Sequence, residues 1–461
     1  MRELIKNIWD AIRGYEHDYT RINLGKAILL LSIPMVAEML MESLFAILDI
    51  YYVSRLGDDA ITVVGLTESL MTIVYSIGVG IAMATTGLVA RRIGEKRDED
   101  AGIAATQSIF LGVFLSLFIA LPGILFPGKI LAAMHAEPEV IRQGKSFMAL
   151  MMGGNGLIML LFINNAIFRS AGAPALSMRV LLFANIINLI LDPCLIFGIG
   201  PFPELGVYGA AVATNIGRGL GVLYQFYLMF SGKCRIKLKL RQFKIQPAVI
   251  YKVLYLSGGG ILQYLIATAS WIFLYRILAD YKSEVIAGYT IAIRIFVFFL
   301  LPAWGLSNAA STLVGQNLGA KNPKRAERSV WITSLVTSIY MLIVMSFFLI
   351  SPDFLIGLFS DGGKSNEVGI ACLKIMGMGM LFYGFEMIIA QSFNGAGDTY
   401  TPTILNVIGF WIIEIPLALL LARHLKMEEI GVFYAIFISE TLLALMGIII
   451  FRRGRWKLRE V

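Results

Sequence analysis

Glu38, Glu42 and Asp49 occur together in one otherwise apolar run, residues 27–53. At about 100° of rotation per helical residue they fall within about 40° of one another, on a single stripe. An ionised side chain at the centre of a membrane helix costs about 2.5–3.5 kcal/mol on insertion scales, so such groups take a partner or a proton and face a cavity rather than lipid. A second constellation, Asn185, Asn188 and Asp192, has spacings of three and four and again occupies one helix face. Pro193 follows; lacking an N–H, it leaves the carbonyl of Leu189 without its helical donor. A carboxylate, amides and a freed carbonyl suit a proton or a hard cation such as Na⁺, which takes oxygen ligands. Thr214 adds a hydroxyl within the small-residue run Gly209 to Asn215, where helices can approach closely.

Each of these residues also has a purely structural reading. Glu38 lies near one end of its run, where it could simply reach the interface, and Asn185 serves equally as an interhelical hydrogen bond. Met39, Met41 and Phe45 suit loosely specified hydrophobic cargo, or ordinary helix packing. Pro34, in the middle of the same run, is a hinge or a fixed bend. Arg218, Arg276 and Arg294 also fall in apolar runs and are available to pair with the acids.

The elements that must position these groups are membrane helices. The chain has 461 residues, 57% hydrophobic and only 15% charged, against about 25% charged in soluble proteins; its mean hydropathy is +0.76. The reading is all-α and integral to the membrane, with twelve spans: 27–53, 61–90, 102–126, 142–168, 175–199, 206–230, 250–279, 284–314, 329–351, 367–393, 402–422 and 430–451. No signal-peptide pattern is read ahead of the first. Residues 1–26 form a polar N-terminal segment in which Leu4, Ile5, Ile8, Trp9 and Ile12 trace the apolar face of an interfacial helix.

One constant offset superimposes the second half of the chain on the first. Phe168–Gly172 meets Phe393–Gly397, Leu205–Val207 meets Ile430–Val432, Arg92–Gly94 meets Asn317–Gly319, and Gly80 meets Gly305. The plan is therefore an N-lobe at 27–230, a basic linker at 231–249, a C-lobe at 250–451 and a tail at 452–461, with a cleft between the lobes. Lys and Arg concentrate in alternate connections, Arg169 among them, which predicts that these, the linker and both termini are cytoplasmic. Six spans per lobe is an even number, so the lobes share one orientation and a pseudo-two-fold axis along the membrane normal.

The net charge of +8 follows this positive-inside bias rather than nucleic-acid binding. Cys194, Cys234 and Cys372 are widely spaced and form no disulfide framework or metal pattern. His17, His135 and His424 lie outside the spans. Gly363-Lys364-Ser365 resembles the end of a phosphate loop, but Leu358 stands where that pattern needs glycine. No cofactor is expected, and an intramembrane enzyme is the least favoured function.

Longer motifs extend the pattern. They are Ser32-Ile33-Pro34 ahead of Asp49; Gly57; the loops Ala171–Pro174 and Gly395–Asp398; Asn188 to Asp192; Gly206–Thr214; and Gly315–Ala320. In this order and spacing they resemble the multidrug and toxin extrusion (MATE) family, in its prokaryotic DinF-like branch, over the whole chain. The resemblance implies two six-helix lobes and export of organic cations or amphiphiles in exchange for H⁺ or Na⁺. It also implies a cation site at Asp49, Asn188, Asp192 and Thr214; the polar residues read directly from the spans add Glu38, Glu42, Asn185 and Glu386 as further candidates. Phe45 stands where the branch often has tyrosine. Gln263 and Leu274 occupy the positions matching Glu38 and Asp49, so coupling is expected in the N-lobe. The expectation is a monomeric plasma-membrane antiporter, in contact with lipid, H⁺ or Na⁺ and a small amphiphile; the acid stripe points to cationic cargo. A lipid-linked oligosaccharide flippase of the same superfamily is the alternative, and it would show a strongly basic cavity.

Overall fold

A computed structural model of the chain describes residues 2–14, 17–359 and 362–460; the side chains of residues 2–5 and 240 are outside that description, and with them Leu4 and Ile5 of the expected interfacial face. A short helix α1 (Arg2–Arg13) precedes the N-lobe. There follow α2 (Leu24–Ser54), α3 (Asp58–Gly94), α4 (Asp98–Leu125), the short α5 (Pro127–Ala133), α6 (Pro138–Gly153), α7 (Asn155–Ser170), α8 (Pro174–Phe197) and α9 (Val207–Phe230). The C-lobe repeats the order with α10 (Pro247–Leu278), α11 (Ser283–Gly319), α12 (Pro323–Ile350), the short α13 (Pro352–Gly357), α14 (Lys364–Gly377), α15 (Met380–Gly395), α16 (Tyr400–His424) and α17 (Glu428–Arg452).

Local chemistry sets the boundaries. Asn23 caps α2, its side chain accepting from the backbone N–H of Gly25 at 2.9 Å. Gly57, at φ 100°, turns the chain into α3, whose first turn carries Asp58 and Asp59 at the positive end of the helix dipole. Pro323 opens α12 beside the Asn322 cap. The fourth span is broken at Gly154 and the tenth at Gly379, positions related by the offset of the repeat, and α14 and α15 meet at a 56° bend.

Among the described residues ten helices are long and apolar enough to cross a membrane, and the bent pair α14–α15 makes an eleventh. The twelfth expected span, α9, is a 24-residue helix whose mean hydropathy is lowered by Asn215, Arg218 and Gln225. Asn215 bonds the Ala211 carbonyl, Gln225 bonds Asn165, and Arg218 lines the cavity between the lobes, so these polar side chains turn inward rather than to lipid. The lipid face is plain elsewhere. On α4, Phe114, Leu117, Phe118 and Leu121 are all more than half exposed, at the i, i+3, i+4, i+7 spacing of one apolar stripe. In α1, Ile8, Trp9 and Ile12 are exposed while Ala11 is buried.

The linker alternates. Cys234, Ile236 and Leu238 are buried in the N-lobe core, whereas Arg235 pairs with Asp98 at 3.2 Å and Lys239 with Glu99 at 3.2 Å on the first turn of α4. In the tail, Trp456 stacks on Phe451 with centroids 4.7 Å apart, and Arg459 then bridges the lobes. The Arg459 carbonyl accepts from Arg91 of α3 at 3.0 Å, and its guanidinium pairs with Asp398 at 3.3 Å.

The lobes meet through α2 against α11 and α3 against α10, and α3 also packs on α11. Exchanging the halves converts the first contact into the second, as a two-fold axis demands. The atoms agree. A Cβ on Gly80 would meet Ile261, and one on Gly305 would meet Val36; the offset that carries Gly80 onto Gly305 also carries Val36 onto Ile261. At the end that carries both termini the approach is closer still: Gly94 lies on Gln316 and Gly319 on Arg91. Lys96 and Lys321, another pair at the same offset, leave these two helices with φ of 60° and 55°.

Candidate functional site

Beyond this closed end, a cavity of about 320 Å³ lies between the lobes. Glu38, Met39 and Glu42 of α2 line it, with Tyr75 of α3, Asn165 and Arg169 of α7, Arg218 of α9 and Trp304 of α11 among its other walls. Met39 thus faces the cavity. Phe45 lines a small adjoining void with Glu42, Asn185, Asn188, Thr214 and Arg218. Met41 lines neither; its backbone carbonyl accepts from Asn185 at 3.4 Å, which gives Asn185 an interhelical hydrogen bond.

Glu38 is buried at 2% exposure. One carboxylate oxygen accepts from Arg169 Nη1 at 2.7 Å and from Asn165 Nδ2 at 3.1 Å. Asn165 in turn accepts from Gln225, and Gln225 from Asn164, so the network ties α2, α7 and α9 together. Glu38 thus lines the cavity rather than reaching the interface, and Arg169, counted above with the basic terminal face, turns its side chain inward to pair with it. Removing one member of a buried pair strands the other and costs about 3–5 kcal/mol, whereas replacing both is often neutral. Arg169→Met is therefore expected to lower the melting temperature of the purified protein markedly, and the double variant Glu38→Gln/Arg169→Met to recover most of the loss.

The fifth-span constellation closes on the sixth. Asn188, Asp192 and Thr214 are all buried. With the Asn188 amide in the orientation that satisfies both of its ends, Nδ2 donates to Asp192 Oδ2 at 2.6 Å, and the amide oxygen accepts from Thr214 N at 3.0 Å and Oγ1 at 3.3 Å. Gly217, one turn on from Thr214, makes room: a Cβ there would stand 2.9 Å from the Ala184 carbonyl. Asp49 lies within electrostatic reach of Asp192, and its Oδ1 has no hydrogen-bond partner. Asn185 stays at the edge of this group, bonded to the α2 backbone.

Two residues complete the N-lobe interior. Arg218 stands among Glu42, Asp49, Glu68 and Asp192 and faces the Tyr75 hydroxyl. Glu68, which the sequence reading passed over, accepts from Tyr75 at 3.3 Å. Its signal was available: it is the one acid inside the run 61–90. Arg276 and Arg294 are exposed and close no ion pair among the described residues.

In the C-lobe, Glu386, Glu414 and Glu440 of α15, α16 and α17 converge. Glu414 accepts from Ser270 at 2.8 Å, and Glu440 lies within electrostatic reach of the other two. Helix α16 runs as π-helix from Val407 to Glu414, a form frequent at functional sites. Pro34 is buried and α2 passes through it unbroken. Among the described residues no group of His, Cys, Asp and Glu has the arrangement of a metal centre.

The MatE family model matches the chain twice, over residues 34–194 and 259–420, two stretches whose first residues stand at the offset of the repeat. The "Probable multidrug resistance protein NorM" of Thermotoga maritima is 26% identical over 442 residues, covering 95% of this chain and 94% of that protein. The "FAD transporter" of Shewanella oneidensis is 25% identical, covering 88% and 89%, and the "Multidrug export protein MepA" of Staphylococcus aureus 24%, covering 92% and 93%. In fold the chain is similar to an outward-facing multidrug resistance MATE transporter of the MOP superfamily (TM-score 0.88, 23% identity, 95% of this chain and 98% of that one). The matched stretches make up well over half of the sequence, one in each half of the repeat: the chain belongs to the MatE family of membrane transporters.

Proposed function

We propose that this protein is a cation-coupled antiporter that exports amphiphilic organic compounds across the plasma membrane by alternating access, with both termini cytoplasmic. The observation that carries the reading is the arrangement of Asp49, Asn188, Asp192 and Thr214. Two carboxylates, an amide and a hydroxyl converge in the N-lobe, and the cargo cavity adjoins them through a void lined by Glu42 and Arg218. A proton or Na⁺ entering this group changes its charge, and Glu42 and Arg218 bring that change to the cavity wall. Such an ion shifts the protein between its two shapes only by its differential affinity for them. Pro34, on the helix that carries Asp49, is where α2 would bend between them.

The names of the relatives support export of drug-like molecules. A flippase for lipid-linked sugars is less well supported, because Arg169 and Arg218 do not leave the cavity basic: Glu38 and Glu42 line it too. The test is reconstitution into vesicles and dye transport driven by a proton gradient alone, then by a sodium gradient alone. Transport under one gradient, and none without either, is the expected result. Equal dye movement with and without both gradients overturns the coupling.

A further inference from the structure

We propose that Arg218 sets the charge selectivity of the central cavity: it holds the acidic group of cargo that carries one beside a flat apolar body, and it disfavours cargo that is only cationic. The inference rests on the export reading above and adds the class of cargo to it. On the sequence alone the acid stripe of α2 points to cationic cargo. In the structure the charged side chains that line the cavity are two of each sign, Glu38 and Glu42 against Arg169 and Arg218.

The two arginines are not equivalent. Arg169 is engaged, with Glu38 at 2.7 Å. Arg218 closes no ion pair among the described residues, and its Nη1 lies buried without a hydrogen-bond partner. Glu42, Asp49, Glu68 and Asp192 each lie within electrostatic reach of it, and the Tyr75 hydroxyl is its one hydrogen-bond partner among the described side chains. A buried guanidinium N–H without an acceptor is costly, and the group is shaped to take a carboxylate or phosphate on two parallel N–H bonds. The same cavity is also lined by Tyr75, Phe162, Tyr264 and Trp304, flat surfaces that suit an aromatic body.

Arg218 also acts against a simple cation. Its charge opposes that of the four nearby acids, and among the described residues no second basic side chain acts on them, Arg169 being bound to Glu38. Loss of Arg218 leaves the acids unopposed. At the separations and effective dielectric of a partly wetted interior, one such charge changes a binding ratio by about tenfold or more.

A matched pair of dyes tests this. Rhodamine 110 carries a free carboxylate, and rhodamine 123 is its methyl ester and a monocation. Binding of each to the purified full-length protein is followed by fluorescence anisotropy. Wild-type protein is expected to bind the acid at least as tightly as the ester. Arg218→Gln is expected to move the ratio towards the ester by about tenfold, and Arg218→Lys, which keeps the charge but loses the fork, to fall between. Glu42→Gln removes an opposing charge and is expected to move the ratio towards the acid; it decides the matter if Arg218→Gln binds neither dye. A wild-type preference for the ester by tenfold overturns the proposal, as does an unchanged ratio in an Arg218→Gln protein that still binds the ester. Binding of neither dye by wild-type protein overturns it too, while the export reading is judged separately by whether an ion gradient drives transport.

Discussion

Asp49→Asn and Asp192→Asn are each expected to fold, to purify as wild type, and to reduce gradient-driven export to the background of protein-free vesicles. Asp192 is 1% exposed and hydrogen-bonded to Asn188, which is itself held by Thr214. Asp49 faces it with an oxygen that has no partner. Two carboxylates so placed repel one another, and in a desolvated interior the pair is tolerated by taking up a proton or a cation. An amide keeps the shape and removes the charge, so the fold is retained while the exchangeable charge is lost. The result should be the same for both variants, because either acid alone leaves a group that no longer needs the ion. Wild-type export by either variant at normal expression would remove the four residues from the coupling site.

What the sequence made legible and what it did not divides on physical lines. The constant offset, the two lobes and the acid stripe of α2 could be read because they depend on composition and on one helix at a time. Asn188 and Asp192 were legible for the same reason, being a single face of α8. Contacts between helices were not. Arg169 was assigned to the basic terminal surface because it ends α7, yet it turns inward to Glu38 through a rotation that only packing fixes. Arg218 was visible as a charge in a span, but its place among acids from α2, α3 and α8 required three helix orientations at once. The convergence of Glu386, Glu414 and Glu440 was hidden further, since α16 runs through π-turns that a regular helical wheel misplaces.

Gly94→Ala and Gly319→Ala are expected to produce the same defect, although they lie in different lobes. A Cβ at Gly94 would overlap the carbonyl oxygen of Gln316, and one at Gly319 would overlap that of Arg91, each nearer than any real Cβ approaches. The obstacle in both cases is backbone, which cannot rotate away as a side chain can. The extra methyl therefore forces α3 and α11 apart at the end that carries the termini. Overpacking of this kind costs about 1–3 kcal/mol, and the cost falls only on the shape in which the lobes are closed there. The population consequently shifts towards the shape open at that end, by about tenfold or more. The two sites share one contact, so the double variant should cost less than the sum of the singles. Accessibility provides the readout. A cysteine at Met39, in a protein whose Cys194, Cys234 and Cys372 have been replaced by alanine, lies in the cavity wall. A membrane-impermeant maleimide added on the terminal side should label it faster in both single variants, and export should slow in both. Faster labelling in one variant alone would show that the two halves of the contact do different work, and the pseudo-symmetry would then describe the fold without describing its motion.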